Sequence, residues 1–166
     1  MSFSIKITPE SQRKIDSLAK MGKIDLRAIF NVIGIGYRKE VSLIFDKKQA
    51  RGVGLRWAPL SPKYAERKAI EYPGAPLLVR TGRLKDSITK KGALGGINII
   101  NKTQAVFGTT VPYGIYHDKG GKKIPKRNFS DVSERRKQIW IDQIENDIIR
   151  SFNLSGISVE KGFISG

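Results

Sequence analysis

Ile97-Asn98-Ile99-Ile100-Asn101-Lys102-Thr103-Gln104-Ala105-Val106-Phe107-Gly108-Thr109 is the stretch that decides the fold. Its β-branched and aromatic residues gather in two short runs, Ile97 to Ile100 and Ala105 to Thr109. The polar Asn101-Lys102 between them suits a hairpin turn. Before this hairpin, Leu26, Ile29, Phe30, Ile33, Tyr37, Val41 and Ile44 recur at steps of three and four. That stripe predicts a long amphipathic helix, with Asp25 as its cap. Gly34 and Gly36 sit inside it, weaken it by roughly 1 kcal/mol each, and allow close approach of a sheet or another helix. After the hairpin, Val132, Arg136, Ile139, Trp140, Ile144, Ile148 and Phe152 mark a last helix over about 131–152. Ser130 or Asp131 is its expected cap, and Arg136 interrupts its apolar stripe. The pattern is α+β: an antiparallel β-sheet core flanked by a long N-terminal helix and a C-terminal helix, in a single domain over 1–166.

The remaining segments fill in around this frame. Phe3, Ile5 and Ile7 alternate with Ser4 and Lys6, as in a half-buried strand over 3–7. Thr8-Pro9-Glu10 starts a helix over about 9–21 that carries Ile15, Leu18 and Ala19 on one side and ends at Gly22. Residues 47–56 read as an exposed basic loop. Ser61-Pro62 starts a short helix to about residue 70, and Tyr72-Pro73-Gly74 breaks it. Leu84 to Thr89 alternates imperfectly and reads as a strand. Tyr113 to His117 suits a strand or a short helix. Residues 118–128 form a second basic loop. Residues 153–166 read as a tail that is flexible or exchanged between subunits, with a strand at Ile157 to Val159.

Charge narrows the function. The 166 residues hold 31 Lys and Arg against 15 Asp and Glu, a net charge of +16. Residues 47–137 alone carry 21 basic and 6 acidic side chains, so both ends of the chain are close to neutral. A concentrated positive field suits a polyanion or an acidic partner surface. The side chains expected to face it are Lys47, Lys48, Arg51, Lys119, Lys122, Lys123, Lys126 and Arg127. The basic loops are not interleaved with exposed aromatics, which favours contact with a duplex backbone over base reading.

Catalytic chemistry finds little material. Cysteine is absent and histidine occurs once, which excludes a two-histidine metal site and a histidine relay. No metal and no cofactor are expected. His117-Asp118 lacks a nucleophile and an orienting third group, so His117 reads as a packed structural residue rather than as part of a nuclease. Asp142, Glu145 and Asp147 read as a solvated helix face, or as one side of a subunit contact. Trp57 reads as a loop anchor in the core, with base stacking as its alternative. No apolar run approaches the roughly 20 residues of a membrane span, and the first residues lack the apolar stretch of a signal peptide. A chain made in the cytoplasm, without a membrane partner, is expected.

The order of motifs adds a resemblance. Trp57-Ala58-Pro59-Leu60-Ser61-Pro62-Lys63-Tyr64 is followed by Leu77-Leu78-Val79-Arg80-Thr81-Gly82-Arg83-Leu84-Lys85-Asp86-Ser87-Ile88. The hairpin ends Val106-Phe107-Gly108-Thr109, and Tyr113-Gly114-Ile115-Tyr116-His117-Asp118-Lys119-Gly120-Gly121 comes next. Ile124-Pro125-Lys126-Arg127-Asn128-Phe129 closes the series. This series, over roughly 57–132, resembles the tailed-phage virion morphogenesis family, the Mu-like tail-completion or head–tail joining proteins. The family usually has alanine where this chain has Gly114, and often glutamine where it has Asp118. The resemblance implies a structural virion protein without enzymatic activity. It implies a homo-oligomeric ring, a hexamer, in the neck or head-proximal tail, around the DNA channel. Neighbouring neck, portal-adaptor or tail-tube proteins and non-specific contact with genomic DNA are the implied partners. Trp57, Leu60, Gly82, Leu84, Tyr113, Tyr116, His117, Gly120 and Phe129 would build the core and orient the loops. The alternative from charge alone is a basic nucleic-acid-binding module acting as a monomer or dimer.

Overall fold

The computed structural model describes residues 2–3, 9–20, 24–47 and 56–154. In chain order they form β1 (Ser2–Phe3), α1 (Pro9–Lys20), α2 (Arg27–Lys47), α3 (Pro62–Glu71), α4 (Arg83–Thr89), β2 (Gly96–Ile100), β3 (Ala105–Thr109), α5 (Gly114–Lys119) and α6 (Glu134–Leu154). The fold is α+β. The sheet is antiparallel with strand order β1-β3-β2, and the long helix α2 touches both β2 and β3 on one side and α6 on another. Among the described residues, no helix is long and apolar enough to cross a membrane.

Helix α2 organises the core. Asp25 Oδ1 accepts the Arg27 backbone N–H at 3.1 Å, one of the donors a helix start leaves unpaired. The expected stripe is buried: Phe30, Ile33, Tyr37, Val41 and Ile44, joined by Phe45. Both glycines in the helix have a packing reason. A Cβ on Gly34 would stand 2.7 Å from the Phe107 ring of β3, and one on Gly36 would stand 3.4 Å from the Trp140 indole of α6. Phe107 is in turn stacked on Tyr37 at 5.9 Å. The glycines thus let the sheet and the second long helix close onto the same helix. Gly34→Val should cost about 1–3 kcal/mol by overpacking, read as a lower denaturant midpoint at unchanged slope. An unchanged midpoint would mean that the sheet does not lie this close.

The residue that interrupts the stripe of α6 also has a partner. Arg136 Nη2 lies 2.8 Å from Glu40 Oε1, and Glu40 is buried on α2. A carboxylate and a guanidinium thus meet where the two helices pack, each at a position that would otherwise be apolar.

Several expectations change. Leu84 to Thr89 lies within helix α4, not a strand. Its buried residues Leu84, Ser87 and Ile88 are three and four apart, which is one face of a helix turn. Gly82, at φ 80°, makes the entry, and the Asp86 backbone N–H donates to its carbonyl at 2.8 Å. Tyr113 to His117 takes the helical option, in α5, so the second basic loop begins only after Lys119. The hairpin connection uses four residues rather than two, with Asn101 N donating to Gln104 O at 2.7 Å. The last helix starts at Glu134, later than expected. Ser133, not Ser130 or Asp131, receives the first helical bonds: its carbonyl accepts from Arg136 and Lys137. Asp131 and Ser130 are engaged elsewhere, Asp131 with Lys137 at 2.8 Å and Ser130 with Asp118.

The expected solvated face of α6 is only partly solvated. Asp142 is exposed, but Glu145 is 4% exposed and sits beside the buried Ile144 and Ile148. Ile5 and Ile7, expected in the first strand, Gly22, expected to end the first helix, residues 48–55 and residues 155–166 lie outside the described residues.

Candidate functional site

The segments that carry the resemblance come together in one place. Trp57 Nε1 donates to the carbonyl of Asn128, 71 positions away, at 3.2 Å. Arg127 Nε and Nη2 donate to the carbonyls of Ala58 and Pro59 at 3.0 and 2.9 Å. The Arg127 backbone N–H donates to the carbonyl of His117 at 2.6 Å. Asp118 Oδ1 accepts from Phe129 N at 3.3 Å and Ser130 Oγ at 3.0 Å. Phe45, at the end of α2, is the shared floor: Trp57 meets it edge-on and Phe129 tilted, each at 5.6 Å.

Two further segments close the unit. Leu84 of α4 is buried. A Cβ on Gly114 would stand 3.1 Å from Leu84 Cδ1 and 3.5 Å from Phe129 Cζ. An alanine at 114 would crowd this junction, which gives Gly114 a local reason. Gly120 ends α5 at φ 79°, and its missing Cβ would lie 3.0 Å from the Lys126 backbone N. A side chain there meets both an unfavourable φ and immobile backbone.

Three motif residues play other parts than expected. Arg127 is 4% exposed, so it is a buried clamp and not part of the basic surface. Its planar fork donates to two carbonyls from two different nitrogens held in one fixed geometry. Tyr113 and Tyr116 are 42% and 60% exposed, so neither builds the core. Leu60 and His117 are half-buried, while Trp57, Leu84 and Phe129 are core residues as expected. Lys119, Lys122, Lys123 and Lys126 are exposed, and so is Lys47 at the end of α2. Lys48 and Arg51 lie outside the described residues. The exposed Tyr113 and Tyr116 belong to α5 and its cap, while the loop after Lys119 carries no aromatic before Phe129, which is buried.

His117 is a titratable group of this unit whose surroundings perturb it. Its Nδ1 is buried and has no hydrogen-bond partner. Burial, and then the charge of Arg127, hold its pKa below the ordinary 6.5. The neutral ring with its proton on Nε2 leaves a bare lone pair at Nδ1 rather than a stranded N–H, and is the tautomer we assign. The unfolded chain takes up this proton before the folded one does. Stability from the neutral ring is therefore complete above pH 6.5 and is lost as pH falls through the folded-state value. His117→Gln should flatten the pH dependence of the unfolding free energy in that window. An unaltered slope would remove His117 as its source.

A cleft of about 400 Å³ opens beside this unit. Tyr64, Lys68 and Tyr72 line it from α3 and the residue after it, at steps of four, which is one helix face. Arg80, Arg83, Tyr113 and His117 line it from the other side, and no carboxylate is among its lining residues. Lys68 is buried and donates to the Pro76 carbonyl at 2.5 Å, which holds the 74–79 turn under α3. Arg80 lies over the Tyr72 ring at 4.8 Å and 4.0 Å from Glu71. The four-residue step from Tyr64 to Tyr72 was visible in the sequence. Its meeting with Arg80 and Arg83 depends on the turn at Gly74 and Gly82, which no periodicity announces.

Among the described residues, no three His, Asp or Glu side chains come together as metal ligands. Comparison of the chain with protein-family models, curated proteins and solved structures gives no match.

Proposed function

We propose that the chain is a structural subunit of a tailed-phage virion that completes the tail or joins it to the head. It acts without enzymatic activity, as a homo-oligomeric ring, a hexamer, in the neck or head-proximal tail. The observation that carries this reading is the convergence of the motif segments on Phe45, Trp57, Arg127 and Phe129. Residues far apart in the chain, joined only by their place in one family pattern, form one packed unit. Lys119, Lys122, Lys123 and Lys126 then present charge either to DNA in the channel or to an acidic neck, portal-adaptor or tail-tube protein. Exposed Val32 and Ile35, three apart on α2, and exposed Ile70 and Leu94 supply apolar surface for a neighbouring subunit.

Light scattering at low and high salt tests this. The expected result is one discrete ring-sized oligomer that persists at high salt, because apolar contacts are not screened. The second reading is a basic nucleic-acid-binding module, favoured by exposed Tyr113 and Tyr116, which share α5 and its cap with exposed Lys119. A monomer at both salts, with DNA affinity falling steeply as salt rises, would replace the first reading with the second.

A further inference from the structure

We propose that the cleft between α3 and α5 binds a phosphate monoester carried on a planar ring, a nucleoside monophosphate, with Arg80 and Arg83 on the phosphate and Tyr113 against the ring. This reading stands on the cleft alone and does not depend on the oligomeric state. Its volume of about 400 Å³ falls in the range of sites for small organic ligands. The lining carries three cations and no carboxylate; Lys68 is committed to the Pro76 carbonyl and Arg80 has Glu71 at 4.0 Å, so the two arginines at the rim are the groups an anion would meet. A phosphate monoester carries nearly two negative charges near neutral pH, whereas a carboxylate carries one. Two guanidinium forks match phosphate oxygens in pairs. Arg83 has no carboxylate partner among the described residues, and its side chain is exposed. Arg80 is held at the rim by Tyr72 and Glu71, so one of the two forks is already positioned.

The rest of the lining suits the body of such a ligand. Tyr113 presents a half-exposed ring on which a base stacks regardless of its identity. His117 lines the cleft together with Tyr113, and its imidazole adds a polar group to that wall. Leu78 lines the same cleft at φ 61° and is the one non-glycine residue with positive φ among those described. Strain of this kind survives where surrounding structure holds it and is common at ligand sites.

Isothermal titration of the full chain with thymidine monophosphate, thymidine and inorganic phosphate tests the proposal. Thymidine monophosphate should bind, and the other two should bind about tenfold more weakly or less, since each lacks half of the recognised chemistry. Arg83→Gln should weaken it about tenfold, and Tyr113→Ala should weaken it measurably, while Lys102→Gln, outside the cleft, should change nothing. All three side chains are exposed, so the variants fold. Equal binding by an oligonucleotide with a terminal phosphate would identify a strand end as the source; binding of the free nucleotide alone would identify the small molecule. No heat at millimolar thymidine monophosphate would overturn the proposal. So would binding that Arg83→Gln and Arg80→Gln both leave unchanged, or binding that inorganic phosphate equals.

Discussion

Phe129→Ala is expected to lower the unfolding free energy by about 3–5 kcal/mol. The ring is fully buried, and the loop that carries it has no regular secondary structure of its own. It touches Phe45 of α2, and it lies against the Gly114 turn and, through that turn, Leu84 of α4. The cavity left by truncation is therefore bordered by three elements that cannot all move in together. That places the cost toward the upper part of the range, because a site that cannot collapse keeps its void. For a chain of this length the corresponding fall in melting temperature is on the order of 10 °C. Thermal unfolding of the purified variant measures it. A fall of only a degree or two would mean that the loop relaxes into the space, and that the motif segments are not one rigid unit.

The parts of this unit differ in how openly the sequence declared them. Helices α2 and α6 and the hairpin are local, periodic and long, so their apolar stripes are read directly from residue spacing. Helix α4 is hard to read because seven residues hold fewer than two turns, and Leu84 and Ile88, four apart, share a face in a strand as well as in a helix; only buried Ser87 separates the two patterns. The partner of Arg136 was hidden for another reason: a charge in an apolar stripe reads as a defect until Glu40, 96 positions away, is seen across from it. Arg127 misled most. In sequence it is one more cation in DKGGKKIPKRN, equal to its neighbours. In the fold, its backbone N–H is tied to His117, which turns the side chain inward to the carbonyls of Ala58 and Pro59. Whether a basic residue meets solvent or a carbonyl depends on which loop lies opposite, and spacing within one loop does not contain that. The cleft is a product of the same kind of distant meeting, so only its α3 face was legible.

Trp57→Ala is expected to cost about 3–5 kcal/mol as well, but the informative quantity is its coupling to Phe129. Both side chains rest on Phe45, and the Trp57 indole is hydrogen-bonded to the residue just before Phe129. If the segment around Trp57 and the segment around Phe129 were independent anchors, the two losses would add. Their sum would then rival the whole stability of an ordinary domain, about 5–15 kcal/mol, and the double alanine variant would not fold. The milder pair Trp57→Phe and Phe129→Leu avoids this. Trp57→Phe keeps a ring on Phe45 and gives up one hydrogen bond, a net loss of about 1 kcal/mol. Phe129→Leu keeps most of the buried volume. Chemical denaturation of wild type, both single variants and the double variant closes a thermodynamic cycle. A coupling of about 0.5–3 kcal/mol is expected, the range for side chains that share a contact. Strict additivity would mean that Phe45 does not transmit the loss of one neighbour to the other. The convergence of distant motif segments, on which the functional reading rests, would then be proximity without mutual support.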